Sequence, residues 1–327
     1  MRILIAGGAG YIGSNMVAML AAEGHQPVIY DNLSKGHKAA IKGCEVVEGD
    51  LADFDMLEAA LKINKIEIVM HFAAFIEAGE SVINPLKYYQ NNVSNTQALL
   101  SAMESVGVGK FVFSSTAAVY GTPEKVLITE GLPTKPINPY GETKLTAERM
   151  CHYQANAGKL HYVTLRYFNA CGAGNNGTLG EDHRPESHLI PLAIAAATGK
   201  AAAIKIFGTD YPTPDGTCIR DYIHIEDLCR AHLLALNKLD KEAESIYNLG
   251  NGKGYSVREV IDTVKKVSGK SFKVIEAARR PGDPPQLVCD STKAKQELGW
   301  QPKWNNLEKI IESAWKWHSK FPNGYKN

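Results

Sequence analysis

The stretch Gly7-Gly8-Ala9-Gly10-Tyr11-Ile12-Gly13 joins an apolar run, Arg2-Ile3-Leu4-Ile5-Ala6, to an amphipathic segment, and it limits the fold more than any other feature. Glycines at 7, 10 and 13 permit a tight turn in which a strand hands over to a helix packed closely upon it. The first half of the chain repeats that rhythm. Short β-branched runs near 2–6, 27–30, 45–48, 67–70, 110–113 and 162–166 alternate with helix-like stretches, a pattern that predicts βαβ units and a parallel sheet. Between Pro85 and Gly107, the residues Tyr88, Val93, Ala98, Leu99 and Met103 mark the apolar side of a crossover helix.

After Cys171 the alternation lapses. Gly172-Ala173-Gly174-Asn175-Asn176-Gly177 reads as a loop, and Tyr211-Pro212-Thr213-Pro214-Asp215-Gly216 as a turn cluster. Helices near 226–238 and 256–268 bracket a strand at 246–249 placed to rejoin the main sheet, and a last helix near 306–318 carries Trp315 and Trp317. The expectation is an α/β protein: a Rossmann-type doubly wound parallel sheet, with a smaller mixed α/β substrate domain. The first would span 1–170 plus about 225–250, the second about 171–224 plus 251–327.

A net charge of +1, from 36 basic and 35 acidic residues, provides no overall field for nucleic acid or anionic membranes. The six cysteines are scattered without a CxxC or a Cys/His cluster, which predicts reduced thiols, a cytoplasmic setting and no metal. The opening residues form no basic and apolar leader, and no window reaches the ~18 apolar residues of a membrane span.

The helix that follows Gly10 presents unpaired N–H groups and a positive dipole end, the arrangement that binds a pyrophosphate. Asp31 ends the second strand at the offset where a carboxylate accepts from the adenosine ribose hydroxyls and repels a 2′-phosphate. NAD is therefore expected rather than NADP, although Lys35 lies close by. Asp50 ends the third strand and serves either the adenine edge or the cap of the helix opening at Phe54. Small residues after Phe72, Ala73 and Ala74, leave room for a cofactor against the backbone.

Tyr140-Gly-Glu-Thr-Lys144 opens a helix after Pro136 and Pro139. A four-residue step brings both side chains to one face, ~6 Å apart along the axis. Bringing a tyrosine from about 10 to neutrality needs about 4 kcal/mol of phenolate stabilisation, which a fixed ammonium and a cationic cofactor ring supply. A surface pair on an amphipathic helix has the same spacing. The strand Phe111-Val112-Phe113 running into Ser114-Ser115-Thr116 favours chemistry, because an open α/β sheet binds ligands at the C-terminal ends of its strands. One of these hydroxyls can relay a substrate proton to Tyr140.

These motifs, with Arg166-Tyr167-Phe168-Asn169, resemble the extended short-chain dehydrogenase/reductase family and within it the UDP-galactose 4-epimerases. The likeness runs along the chain through Gly79-Glu80-Ser81, Tyr88-Tyr89-Gln90-Asn91-Asn92-Val93, Ile206 to Thr217, Arg220 to His224, Tyr247 to Gly250 and Arg279-Arg280-Pro281-Gly282-Asp283. The resemblance implies NAD that stays bound, a 4-keto sugar formed and reduced again on its other face, a UDP-sugar substrate and a homodimer. With the motifs, it assigns the cofactor to Gly7, Gly10, Tyr11, Ile12, Gly13, Asp31, Asn32, Leu33, Ser34, Gly36, Asp50, Leu51, Phe72, Ala73, Ala74, Asn91, Ser114, Tyr140, Lys144 and Phe168. Catalysis falls to Tyr140, Lys144 and Thr116. Substrate contacts fall to Thr116, Tyr140, Asn169, His188, Leu189, Lys205, Ile206, Phe207, Arg220, Arg280 and Asp283, with the arginines on the diphosphate, Asp283 on the uridine ribose and Phe207 on the uracil.

Three positions depart from the family pattern. Thr116 replaces a usual serine, Ile76 replaces a lysine of some relatives, and Leu287 stands where a tyrosine would exclude N-acetyl sugars. Epimerases of UDP-N-acetylhexosamines, UDP-pentoses or UDP-uronates share the same chemistry at C4. A 4,6-dehydratase would need acids where Ala117 and Ala118 follow Thr116, and a non-catalytic NAD sensor would lack the Tyr140/Lys144 pair.

Overall fold

The computed structural model describes residues 1–280 and 283–326. Seven strands form the main sheet: β1 (Arg2–Ala6), β2 (Gln26–Asp31), β3 (Glu45–Glu48), β4 (Ile68–His71), β5 (Lys110–Thr116), β6 (His161–Tyr167) and β7 (Glu244–Leu249). All pair in parallel, in the order β7-β6-β5-β4-β1-β2-β3. The order reverses between β1 and β4, and the crevice at that switch is where an open α/β sheet takes its ligand. The segment at 246–249 does rejoin this sheet, as its edge strand β7.

The central strands are buried on both faces because helices cover both, while the edge strand β3 is largely exposed. Along β1 the period of two sends Ile3 and Ile5 into one core, with Met16, Val17 and Leu20 of α1 (Tyr11–Ala22) and Leu228 of α5 (Ile225–Ala235). Leu4 and Ala6 enter the other, with Leu57 and Leu61 of α2 (Phe54–Ile63), Leu99 and Met103 of α3 (Asn95–Ser105) and Ala147 of α4 (Pro139–Asn156).

The helix expected between Pro85 and Gly107 is present but not regular. It begins at Pro85–Tyr88, widens into a π-helical stretch at Tyr89–Ser94 and becomes α3 at Asn95. The wide turn directs Asn92 inward, where its amide donates to the Phe75 carbonyl (3.0 Å) and to Thr143 Oγ1 of α4 (3.1 Å), while its oxygen accepts from Phe75 N (2.9 Å). Insertions of this kind concentrate at functional sites, and this one pins the segment after Phe72 to the helix that carries Tyr140.

The remaining strands build two smaller sheets. Ile219–His224 pairs in parallel with Asn169–Cys171 and with Gln286–Cys289, and antiparallel with Gly254–Ser256. Leu127–Ile128 joins the far side of Gln286–Cys289, so a short piece of the N-terminal half belongs to this second sheet. Ile204–Phe207 pairs with Val274–Ala277. Among the described residues, no helix is long and apolar enough to cross a membrane.

Candidate active site

A cleft of about 360 Å³ runs along the C-terminal ends of β1, β2, β4 and β5. Its wall includes Gly7, Gly10, Tyr11, Ile12 and Gly13, then Asp31, Asn32, Ser34 and Gly36, then Asp50 and Leu51, then Phe72, Ala73 and Ala74, and Asn91 and Phe168. Thr116, Tyr140, Asn169, His188 and Arg220 complete it from the other end.

The glycine turn fits a dinucleotide. Gly7 has φ +80° and a Cβ there would sit 2.5 Å from Ala73 N, while a Cβ on Gly13 would sit 2.1 Å from Gly7 O. Only glycine lets the turn, the start of α1 and the chain after β4 meet this closely. No side chain caps the N-terminus of α1, so its first N–H groups remain available to phosphate oxygens. Asp31 accepts from Ala9 N (2.9 Å) and Leu33 N (2.8 Å). Burial pushes its carboxyl up and these two backbone N–H groups draw it back down, which orients a carboxylate that still has lone pairs for a ribose diol. Asp50 binds Asn32 Nδ2 (2.7 Å) and Ala52 N (2.9 Å). The cap of α2 is Asp53, which accepts from Met56 N, so of the two readings of Asp50 the cleft is the one retained. Lys35 lies 3.9 Å from Glu77 across the cleft.

Tyr140 is the second residue of α4, whose start is set by Pro139 and by Asn138 accepting from Gly141 N (2.9 Å). Its own N–H donates to Ser81 Oγ at 3.1 Å. Burial pushes the Tyr140 phenol up to about 12, against the pull of its hydrogen bond with the Thr116 hydroxyl. Thr116 Oγ1 also accepts from Ala118 N (3.1 Å), so the hydroxyl is held in one orientation at the cleft edge. Lys144 lies behind the wall, with Nζ donating to Ser114 O (2.9 Å) and lying 5.1 Å from the centroid of the Phe113 ring. Burial lowers it to about 8, with Glu148 opposing the change.

Of the three successive hydroxyls, only Thr116 lines the cleft. Ser114 bonds His232 Nε2 (3.0 Å) and Ser115 bonds Glu148 Oε1 (2.5 Å), because the strand turns them to opposite helix layers. Glu148 in turn takes Arg166 (2.5 Å), which donates to Tyr120 Oη (2.9 Å), and Tyr120 donates to Asn248 Oδ1 (2.8 Å). A buried, satisfied network thus stiffens the edge from which Thr116 projects.

Several expected residues lie elsewhere. Leu33 packs into the core beside α1, and neither it, Ser114 nor Lys144 forms part of the cleft wall. On Ile204–Phe207 the alternation leaves Lys205 in solvent and buries Ile206 with helix Leu189–Ala197. Leu189 packs on that same core rather than lining the cleft. Phe207 has Arg280 over its ring at 4.0 Å, and Asp283 is paired with Arg220 at 3.2 Å. None of these side chains lines the cleft except Arg220, while Leu287, in register with Arg220, does. In the opposite direction, Tyr167, which the sequence offers only as part of Arg166-Tyr167-Phe168-Asn169, lines the cleft, as do Glu77, Glu181 and His183, which the sequence motifs do not mark. The spacing Glu181-x-His183-x-x-Glu186-x-His188 was the available signal for the last group.

Residues 3–250 match the NAD dependent epimerase/dehydratase family. The chain belongs to that family. A curated UDP-glucose 4-epimerase of Halalkalibacterium halodurans is 50% identical over 99% of this chain and 98% of its own length. A crystal structure of the UDP-glucose 4-epimerase of Bifidobacterium longum with NAD+ and UDP superposes with a TM-score of 0.96 at 38% identity, covering 99% of this chain and 100% of that one. The UDP-Glc/GlcNAc 4-epimerase of Campylobacter jejuni gives 0.85 at 45% identity, covering 98% and 99%.

Proposed function

We infer that this chain is a UDP-glucose 4-epimerase that interconverts UDP-galactose and UDP-glucose through a transient 4-keto sugar. The observation that carries the reading is one continuous cleft. The glycine turn and Asp31 line one end, Tyr140 with its Thr116 partner lines the middle, and Arg220 lines the other end. NAD, held by the glycine turn and Asp31, supplies a reversible acceptor for the hydrogen at C4. Thr116 would receive the hydrogen bond of the 4-hydroxyl, and Tyr140 would take the proton from that oxygen and later return it to the same oxygen, the change of face lying at C4. Lys144 orders the wall through Ser114 O and places an ammonium behind the Tyr140 helix turn. Arg220 serves the diphosphate, releasing Asp283 to the ribose; Arg280 with Phe207 forms the outer rim. A firmly held diphosphate and a loosely held hexose let the keto sugar turn over between the two half-reactions.

Ala117 and Ala118 both line the cleft beside Thr116, and methyl groups there cannot perform the elimination of a 4,6-dehydratase. Leu287 on the wall supports a second reading for larger sugars, since it is smaller than a tyrosine and the Campylobacter jejuni relative is named for both UDP-Glc and UDP-GlcNAc. The chain acts as a homodimer in this proposal. Ile83 at 78% and Leu86 at 81% exposure, on the turns leading to α3, and Tyr153 at 71% on α4 are large apolar side chains that a second copy would cover. Residues 1–170 with 225–250 bind the cofactor, 171–224 with 251–327 bind the UDP-sugar, and the setting is the cytoplasm.

The deciding experiment follows anomeric proton signals by NMR after separate addition of UDP-galactose, UDP-N-acetylgalactosamine and UDP-xylose to the NAD-loaded protein. Equilibration of UDP-galactose with UDP-glucose is expected. Failure of every sugar nucleotide to equilibrate would overturn the reading.

A further inference from the structure

The cleft wall carries a second cluster that the proton chemistry leaves unused. Glu181, His183, Glu186 and His188 can each offer one ligand atom, and these four atoms lie within 4.8 Å of one another. Glu181 is buried, with 4% of its side chain exposed, while His183 and Glu186 are about one-fifth exposed, at 20% and 19%. Nδ1 of His188 lies 2.6 Å and Nδ1 of His183 3.3 Å from the same oxygen, Glu181 Oε1. Glu186 reaches both imidazoles, at 3.7 Å and 3.4 Å, and its Oε1 is oriented by Ser187 N (2.7 Å) and His188 N (2.8 Å).

Despite that closeness, Glu181 Oε1 and both Nδ1 atoms make no directed hydrogen bond. Two imidazoles and two carboxylates thus crowd one small volume, Glu181 Oε1 lying between both imidazoles. Such a mixed nitrogen and oxygen set within one coordination sphere's width is what a cation requires. Two carboxylates and two neutral imidazoles carry a charge of −2, which a divalent ion neutralises. Imidazole nitrogen selects the zinc, cobalt and nickel class over magnesium and calcium, which prefer all-oxygen sets. Because Glu181, His183 and His188 line the cleft, the centre has an entry path from solvent.

We propose that Glu181, His183, Glu186 and His188 form a binding site for one divalent transition-metal ion of the zinc class, which fastens the 181–188 segment as a wall of the cleft. The ion would sit beside the glycine turn, since the His183 ring meets the Tyr11 ring edge-on at 6.2 Å and Tyr11 Oη donates to Gly172 O (2.7 Å). The scattered cysteines pointed away from metal; the ligands here are imidazole and carboxylate instead. The proposal does not depend on the reaction assigned to the cleft.

The test uses the full-length protein, freed of metal by a chelator and titrated with Zn²⁺ alone by calorimetry and with Co²⁺ alone by visible absorption. One ion per chain is expected, with Co²⁺ ligand-field bands of nitrogen and oxygen ligation. Loss of a partner that only orients a ligand typically costs 10–100-fold in affinity, so Glu186→Gln and His183→Gln should each lose at least ~100-fold. Circular dichroism checks that both variants fold. Absent binding, or binding that both variants retain, overturns the site. Should neither variant fold, X-ray absorption of the Co²⁺-loaded wild type decides: two imidazoles in the shell uphold the site, and none overturns it.

Discussion

At the scale of single residues, the tension is between burial and charge. Tyr140 must give up a proton to act as a base, yet burial holds it near 12; the Thr116 hydrogen bond alone does not reverse this. The expected ammonium support is indirect, because Lys144 Nζ lies behind the cleft wall, directed to Ser114 O. Tyr140→Phe is therefore expected to lower turnover at least ~10²-fold, the lower range for one acid–base group, while NAD titration by fluorescence stays near wild type. Retained turnover would remove Tyr140 from its role. Lys144 gives a pH signature. Its folded value of about 8 lies below the ordinary 10.5, so the folded chain sheds this proton before the unfolded one does. Below pH 8 the folded state bears the full cost of a buried ammonium, and between 8 and 10.5 that cost is relieved. Relative to Lys144→Met, wild-type stability in urea should rise with pH across that window by on the order of 3 kcal/mol; a flat difference would contradict the burial.

At the scale of elements, what matters is how strand ends are held. β5 and β6 deliver Ser115 and Arg166 to Glu148 of α4, a pair whose side chains are only 6% and 5% exposed. Removing one partner of such a pair leaves a buried charge uncompensated and typically costs 3–5 kcal/mol. Glu148→Leu should accordingly lower the unfolding free energy by about that amount and loosen Thr116, checked by urea denaturation and by a fall in turnover of the surviving folded protein. The π-helical turn at Tyr89–Ser94 performs the matching task on the other side, since a regular helix would rotate Asn92 away from Phe75 and Thr143.

At the scale of the whole molecule, Ile83, Leu86 and Tyr153 are large apolar side chains exposed in a single chain, and the proposed homodimer would cover them. Light scattering coupled to size exclusion should give twice the chain mass, and Leu86→Glu should shift the population towards the single-chain mass at low concentration. A wild-type monomer at micromolar concentration would refute the pairing.

The local code reaches a long way in this chain. Glycines at 7 and 13, the apolar alternation of β1 to β6 and the four-residue step from Tyr140 to Lys144 each act within a few residues, so the parallel sheet, the glycine turn and the helix that carries Tyr140 and Lys144 were readable from order alone. Asp31 was readable too, because a strand end defines where its side chain emerges. What required the tertiary structure was every choice among residues adjacent in sequence. Whether Ser114, Ser115 or Thr116 faces the cleft depends on which helix layer each meets. Lys205 and Ile206 are separated by the pleat, and the Leu33 side chain packs against the core. The clustering of Glu181, His183, Glu186 and His188 is likewise three-dimensional: their order shows four possible ligands, but only the path of the chain brings their ligand atoms within 4.8 Å of one another.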